Sequence, residues 1–102
     1  MIVLHVRGEL DISNVELLER ALQHACAGGQ ARVVVDATAI TFLAAAGVMA
    51  LVRAQGRCLA RGLDFAVVAA GRAVLRPLQA TGMDQLVTVF PSLEAARRAD
   101  RH

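Results

Sequence analysis

The sequence predicts an α/β fold: a mainly parallel four-stranded sheet built from four successive strand-helix units. Three observations predict it. Short β-branched or apolar runs alternate four times with longer stretches of helical periodicity. Glycine or proline punctuates most of the junctions between them. The connections are short, so each helix must return the chain to a neighbouring strand, and right-handed crossovers of that kind make the sheet parallel. With 102 residues the chain is long enough for one modest core, and a single domain over 1–102 is expected.

Ile2, Leu4 and Val6 alternate with Val3, His5 and Arg7, as in a strand at or near a sheet edge, and Gly8 and Asp11 break the run. Ser13 then opens a helix through an S-x-x-E capping box with Glu16, and Val15, Leu18, Leu22 and Ala25 recur at helical spacing until Gly28-Gly29 stops it. Val33 to Val35 reads as a short strand covered on both faces and ending at Asp36. A small-residue connector leads to a second helix near Ala45. This helix places Val48, Leu51, Val52, Gln55 and Leu59 on one side and Arg53, Arg57 and Arg61 on a solvated side, with Gly62 as its stop. Phe65 to Ala69 is the third strand. A helix from about Ala73 to Thr81 comes next, with a late start or a kink expected at Pro77. Gly82 stops that helix, Leu86 to Phe90 is the fourth strand, and Pro91 and Ser92 open a last helix through Arg98. Residues 99–102 are expected to fray.

Composition narrows the function. Apolar residues make up 56% of the chain, yet only three are Phe and none is Trp or Tyr, so the core must come from Val, Leu, Ile and Ala. All eleven basic residues are Arg, which removes a phosphate-loop lysine, a Schiff-base lysine and a lysine general base together. No basic cluster is interleaved with aromatics, so nucleic acid is not an expected partner. No apolar run approaches the ~20 residues of a membrane span and no signal peptide opens the chain, so no membrane insertion and a cytoplasmic location are expected. His5, His24 and His102 share no metal-ligand spacing and none stands beside a nucleophile; no metal and no cofactor are expected. Cys26 and Cys58 read as small core residues, with a redox pair as the alternative should their helices lie side by side.

The connector carries the functional argument. Asp11 and Asp36 both come after strands and are expected at one end of the sheet, near the start of the second helix, either as turn residues or as partner contacts. Ala44, Ala45 and Ala46 occupy the place of a polar helix cap but offer no side-chain oxygen to the first free amides. Gly8-Glu9-Leu10-Asp11 resembles the glycine-glutamate-leucine-aspartate motif that opens bacterial STAS domains of the anti-sigma-factor antagonist family. Val33 to Asp36, with Ile40-Thr41-Phe42-Leu43 and Gly47 after it, resembles that family's second strand and central loop. Leu75 to Met83 is similar to its third helix and the turn after it.

In that family the loop carries an aspartate-serine-serine-glycine or aspartate-serine-threonine-glycine motif. A partner serine kinase that doubles as an anti-sigma factor phosphorylates its first hydroxyl residue and thereby releases the antagonist. By resemblance, Ala44 stands at the aspartate, Ala45 at the phosphorylated residue and Ala46 at the second hydroxyl, with Gly47 retained. Alanine accepts no phosphoryl group, so the charge switch is absent at Ala45, and Thr41 is the weaker candidate for a substitute phosphosite.

The resemblance implies a non-enzymatic regulatory module that binds an anti-sigma factor, a serine kinase or another cytosolic regulator. Its contacts would be Asp11, Asp36, Thr41, Ala44, Ala45, Ala46, Gly47, Met49 and Arg53. An adaptor or scaffold subunit of a transporter or signalling assembly, or a small-anion sensor, is the alternative. The family commonly places another strand before the one that opens this chain, so a homodimer through the exposed N-terminal edge strand is a further expectation.

Overall fold

The computed structural model describes residues 1–99. The elements run β1 (Ile2–Leu10), α1 (Val15–Ala27), β2 (Arg32–Leu43), α2 (Ala45–Ala60), β3 (Asp64–Val68), α3 (Arg72–Ala80), a 3-10 turn at Met83–Gln85, β4 (Val89–Phe90) and α4 (Leu93–Ala99). The four strands lie in sequence order and every pair is parallel. The predicted strand-helix alternation is therefore the architecture, with β1 and β4 as the edges.

One face of the sheet carries the main core, in which Val33, Val35, Phe65 and Val67 meet Leu18 and Leu22 of α1, Val48, Leu51 and Ala54 of α2, and Val74 and Leu78 of α3. A smaller cluster covers the other face, where Ala96 and Leu93 of α4 pack on Val3, Val34, Val68 and Phe90. Arg32, at the start of β2, holds α4 in place. Its guanidinium donates to the Ala96 carbonyl and lies 5.6 Å from the centre of the Phe90 ring.

The largest departure from expectation is in β2. Asp36 does not end this strand, which continues through the predicted connector to Leu43. Past His5 and Asp36 the register with β1 slips twice: Arg7 pairs with Ala39, and Glu9 with Phe42. Each slip is a bulge that adds one residue to β2 alone. On β1, Leu4, Val6, Gly8 and Leu10 keep turning inward while His5, Arg7 and Glu9 face solvent. On β2 the core positions become Ala37, Ile40 and Leu43, spaced by three. A period-two reading of the sequence finds no strand there. Because β3 ends at Val68, this upper half of β2 pairs only with β1, and α3 packs beside it instead.

Smaller corrections arise from local bonding. The Ser13–Glu16 capping box does not form; α1 starts at Val15, and Ser13 bonds to Asp11. Leu59, expected on the buried side of α2, is 67% exposed, and Cys58 takes the core position. α3 begins at Arg72 and continues through Pro77. β4 has only two residues, because Met83 to Gln85 coil into a 3-10 turn and Val87 drops into the core. Ser92 caps the last helix as expected, its Oγ accepting from the Ala95 amide at 3.0 Å. Of the residues expected to fray, Ala99 closes α4 and the other three, His102 among them, lie outside the described residues.

Candidate functional site

Two strand-to-helix junctions meet where β1 and β2 end. Leu10 pairs with Leu43, and the Ala44 amide donates to the Leu10 carbonyl at 2.8 Å, so the residues after Leu10 and those after Leu43 leave the sheet together.

At the first junction Asp11 organises a turn. Its Oδ1 accepts from the Ser13 amide and hydroxyl, and its carbonyl accepts from the amides of Asn14 and Val15. Asn14 completes it: its Oδ1 accepts from the Asp11 amide at 3.0 Å and its Nδ2 donates to the Glu9 carbonyl at 2.7 Å. The Ser13 hydroxyl and amide, with a smaller contribution from Asn14, hold the Asp11 carboxyl below its ordinary value.

The second junction is a single extended residue. Ala44 has φ −76° and ψ 167°, its carbonyl accepts from the amides of Gly47 and Val48, and α2 begins at Ala45. No side chain caps the helix and its first turn holds no acid. Packing shapes this junction. Gly47 is buried against the strand ends, and a Cβ there would stand 2.5 Å from Leu43 Cδ1 and 3.5 Å from Leu10 Cβ. Only glycine lets the first turn of α2 rest on Leu10 and Leu43 without displacing the Leu43 side chain. Ala45 faces solvent, while Ala44 and Ala46 are half-buried.

The predicted residues divide accordingly. Asp11, Ala44, Ala45, Ala46, Gly47 and Met49 share this end of the molecule, and Met49 is 39% exposed. Thr41 is exposed at the second bulge of β2. Arg53 lies farther along α2, where its guanidinium pairs with Glu19 Oε1 of α1 at 2.8 Å. Asp36 is not at this end. It pairs with His5, five positions before Leu10 on β1, which puts it about 16 Å down the sheet.

Asp36 belongs to a different group. His5 Nδ1 is 3.1 Å from Asp36 Oδ2, while the Thr38 amide and hydroxyl donate to Oδ1 at 3.1 and 2.8 Å. Burial pushes the carboxyl up, but the bonds from Thr38 and the proximity of His5 outweigh it, and the net direction is down. The hydroxyl bonds the carboxylate and not the imidazole, so the trio lacks a histidine-activated nucleophile. Among the described residues no group of three His, Cys, Asp or Glu side chains is arranged to hold a metal ion, and no helix is long and apolar enough to cross a membrane.

Two residues at the strand ends escaped the sequence reading. Ile12 is 85% exposed in the Asp11 turn, and Phe42 is 51% exposed beside Glu9. With Met49 they put three large apolar side chains in water around the uncapped helix start. Ile12 was legible as an apolar residue inside a turn of polar ones. Phe42 was not, because only the bulge turns it outward.

Comparison with known proteins agrees with this architecture. The STAS domain family model matches residues 1–96. The anti-sigma-F factor antagonist RsfA of Mycobacterium tuberculosis is 31% identical over 100 residues, covering 96% of this chain and 78% of RsfA. RsfB of the same organism, also named an anti-sigma-F factor antagonist, is 31% identical over 94 residues, covering 92% of this chain and 76% of RsfB. The crystal structure of an anti-sigma factor antagonist from Mycobacterium paratuberculosis superposes with a TM-score of 0.90 at 32% identity, covering 98% of this chain and 85% of that one. Parallel strands in sequence order, the Asp11 turn and the glycine-seated start of α2 thus go with a family match over nearly the whole chain: this protein belongs to the STAS domain family, and the three relatives just described are named anti-sigma factor antagonists.

Proposed function

We propose that this chain is an anti-sigma-factor antagonist that stays in its binding-competent form because its switch position is alanine. The observation that carries the reading is Ala45: it is exposed at the first turn of α2, at the place where the family resemblance puts the phosphorylated hydroxyl. A phosphoryl group there would bring nearly two negative charges to a helix N-terminus, and alanine cannot carry it. The surface offered to an anti-sigma factor or serine kinase comprises Asp11, Thr41, Ala44 to Gly47 and Met49, extended by Ile12 and Phe42. Arg53 extends it along α2 beside Glu19, and Asp36, about 16 Å away in its own cluster with His5 and Thr38, lies outside it. The protein acts by binding, without catalysis of its own, and works in the cytoplasm. A second copy pairing on the outer edge of β1 is a subsidiary reading, favoured by the half-buried Ile2, Leu4 and Val6 along that edge.

The test is to incubate the chain with its cognate anti-sigma factor and ATP. The expected result is a stable complex with no phosphate at the strand-to-helix loop. Ala45→Glu should weaken that complex at least tenfold. Stoichiometric phosphate on Thr41 would overturn the unswitched reading, and an unaltered affinity in A45E would remove Ala45 from the interface.

A further inference from the structure

We propose that Cys26 and Cys58 close into a reversible disulfide that staples the C-terminal ends of α1 and α2 together. The two helices start at the same end of the sheet and run side by side, and the 2.8 Å ion pair between Glu19 and Arg53 fixes their relative height. From that pair, about two turns along α1 and one and a half along α2 lead to the two cysteines. Both belong to the main core cluster, at 3% and 1% exposure, in the last turns of two helices that pack on each other, and the Cys26 thiol is near enough to act on that of Cys58.

Burial makes the pair quiet at rest. It pushes the Cys58 thiol up to about 11; the Cys26 thiol adds to the rise, and Arg57 and Arg61 offset part of it. Access comes from the helix ends. Cys26 lies in the last turn of α1, two residues before the exposed Gly28 and Gly29, and Cys58 in the last turn of α2. Terminal turns open at little cost, so one local opening brings each sulfur to solvent.

The oxidant is a hydroperoxide. The Cys26 sulfur attacks a peroxide oxygen; an S–O bond forms, the O–O bond breaks, and the departing hydroxide takes the thiol proton as water. The Cys58 sulfur then attacks the Cys26 sulfenic acid; the S–S bond forms, the S–O bond breaks, and the second hydroxide leaves with the Cys58 proton. Two thiols lose two electrons, and one hydrogen peroxide becomes two waters.

This proposal is independent of the antagonist reading, and its test needs no partner. The whole chain is treated with hydrogen peroxide, alkylated and digested with trypsin without reductant. Cleavage after Arg20, Arg32, Arg57 and Arg61 releases the cysteines on peptides 21–32 and 58–61. The expected product is these two peptides joined, lighter than their sum by two hydrogens and separated by dithiothreitol, from a protein that melts at a higher temperature than its reduced form. In Cys58→Ala the linked product should vanish and Cys26 should be trapped as sulfenic acid by dimedone. Exposed Met49 measures the dose. Sulfoxide at Met49 with the peptides unlinked would overturn the proposal, as would sulfinic acid at either cysteine or a disulfide between molecules.

Discussion

The two junctions at the site solve the same problem in opposite ways. From Leu10 to Val15 the chain turns under a net of side-chain bonds in which Asp11, Ser13 and Asn14 each hold backbone groups or one another. From Leu43 to Ala45 it turns with no side-chain bond, held by the glycine that seats α2 on Leu10 and Leu43. The first junction is stiff because its polar groups are satisfied; the second is fixed by fit. The difference leaves the first amides of α2 and the Ala45 face free of the protein's own side chains, as a surface that receives a partner requires.

The contrast can be broken from either side. The largest effect is expected for Gly47→Val, whose side chain must displace Leu43 in the core. It should cost about 2–3 kcal/mol by denaturant unfolding, whereas Val at Gly71, where a Cβ meets nothing within 4 Å, should not carry this packing cost. Asn14→Ala comes next: losing both its bonds, to the Asp11 amide and the Glu9 carbonyl, should cost about 1–2 kcal/mol on the same measurement. Ala44→Ser sharpens the comparison in the opposite direction. A hydroxyl at the bare cap should add about 0.5–1 kcal/mol to stability, so a loss would show that Ala44 is not a vacant cap.

The smallest effect is that of pH. Asp11 and Asp36 both sit below the ordinary value of 3.8, so the stability they add is complete above that value and is lost as pH falls through their lower folded values. Asp11→Asn should flatten the acid limb of a melting curve recorded from about pH 5 to 2. An unchanged limb would leave Asp36 as its source.

The order of elements was legible because apolar runs, glycines and prolines punctuate it. Tertiary bonding hid the rest. Ser13 and Glu16 satisfy the pattern of a capping box, but the Asp11 carboxylate takes the Ser13 hydroxyl first. Thr38 and Thr41 looked like connector residues because a bulge puts polar side chains where alternation expects apolar ones. Asp36 was placed at the end of a strand that continues beyond it. The alanine run and Gly47 were legible by family resemblance, yet the close contact of Gly47 with Leu43 is visible only in three dimensions. Ile12 and Phe42 show the limit of reading a site from a motif, which names the loop but not the exposed apolar side chains around it.

The two bulges also govern how the chain tolerates changes in length. From Ile2 to Leu10, β1 advances eight positions, while its partner advances ten, from Val33 to Leu43, and the two strands still finish level. Removing one residue between Ala37 and Thr41 would erase one bulge and leave the pairs beyond it unchanged, so Phe42 would stay outward beside Glu9 and Leu43 inward beside Leu10. Removing two would erase both and leave a flatter ribbon ending in the same Leu10–Leu43 pair. The bulges are therefore slack in the strand: this short stretch can lose two residues and still deliver the start of α2 to the same place.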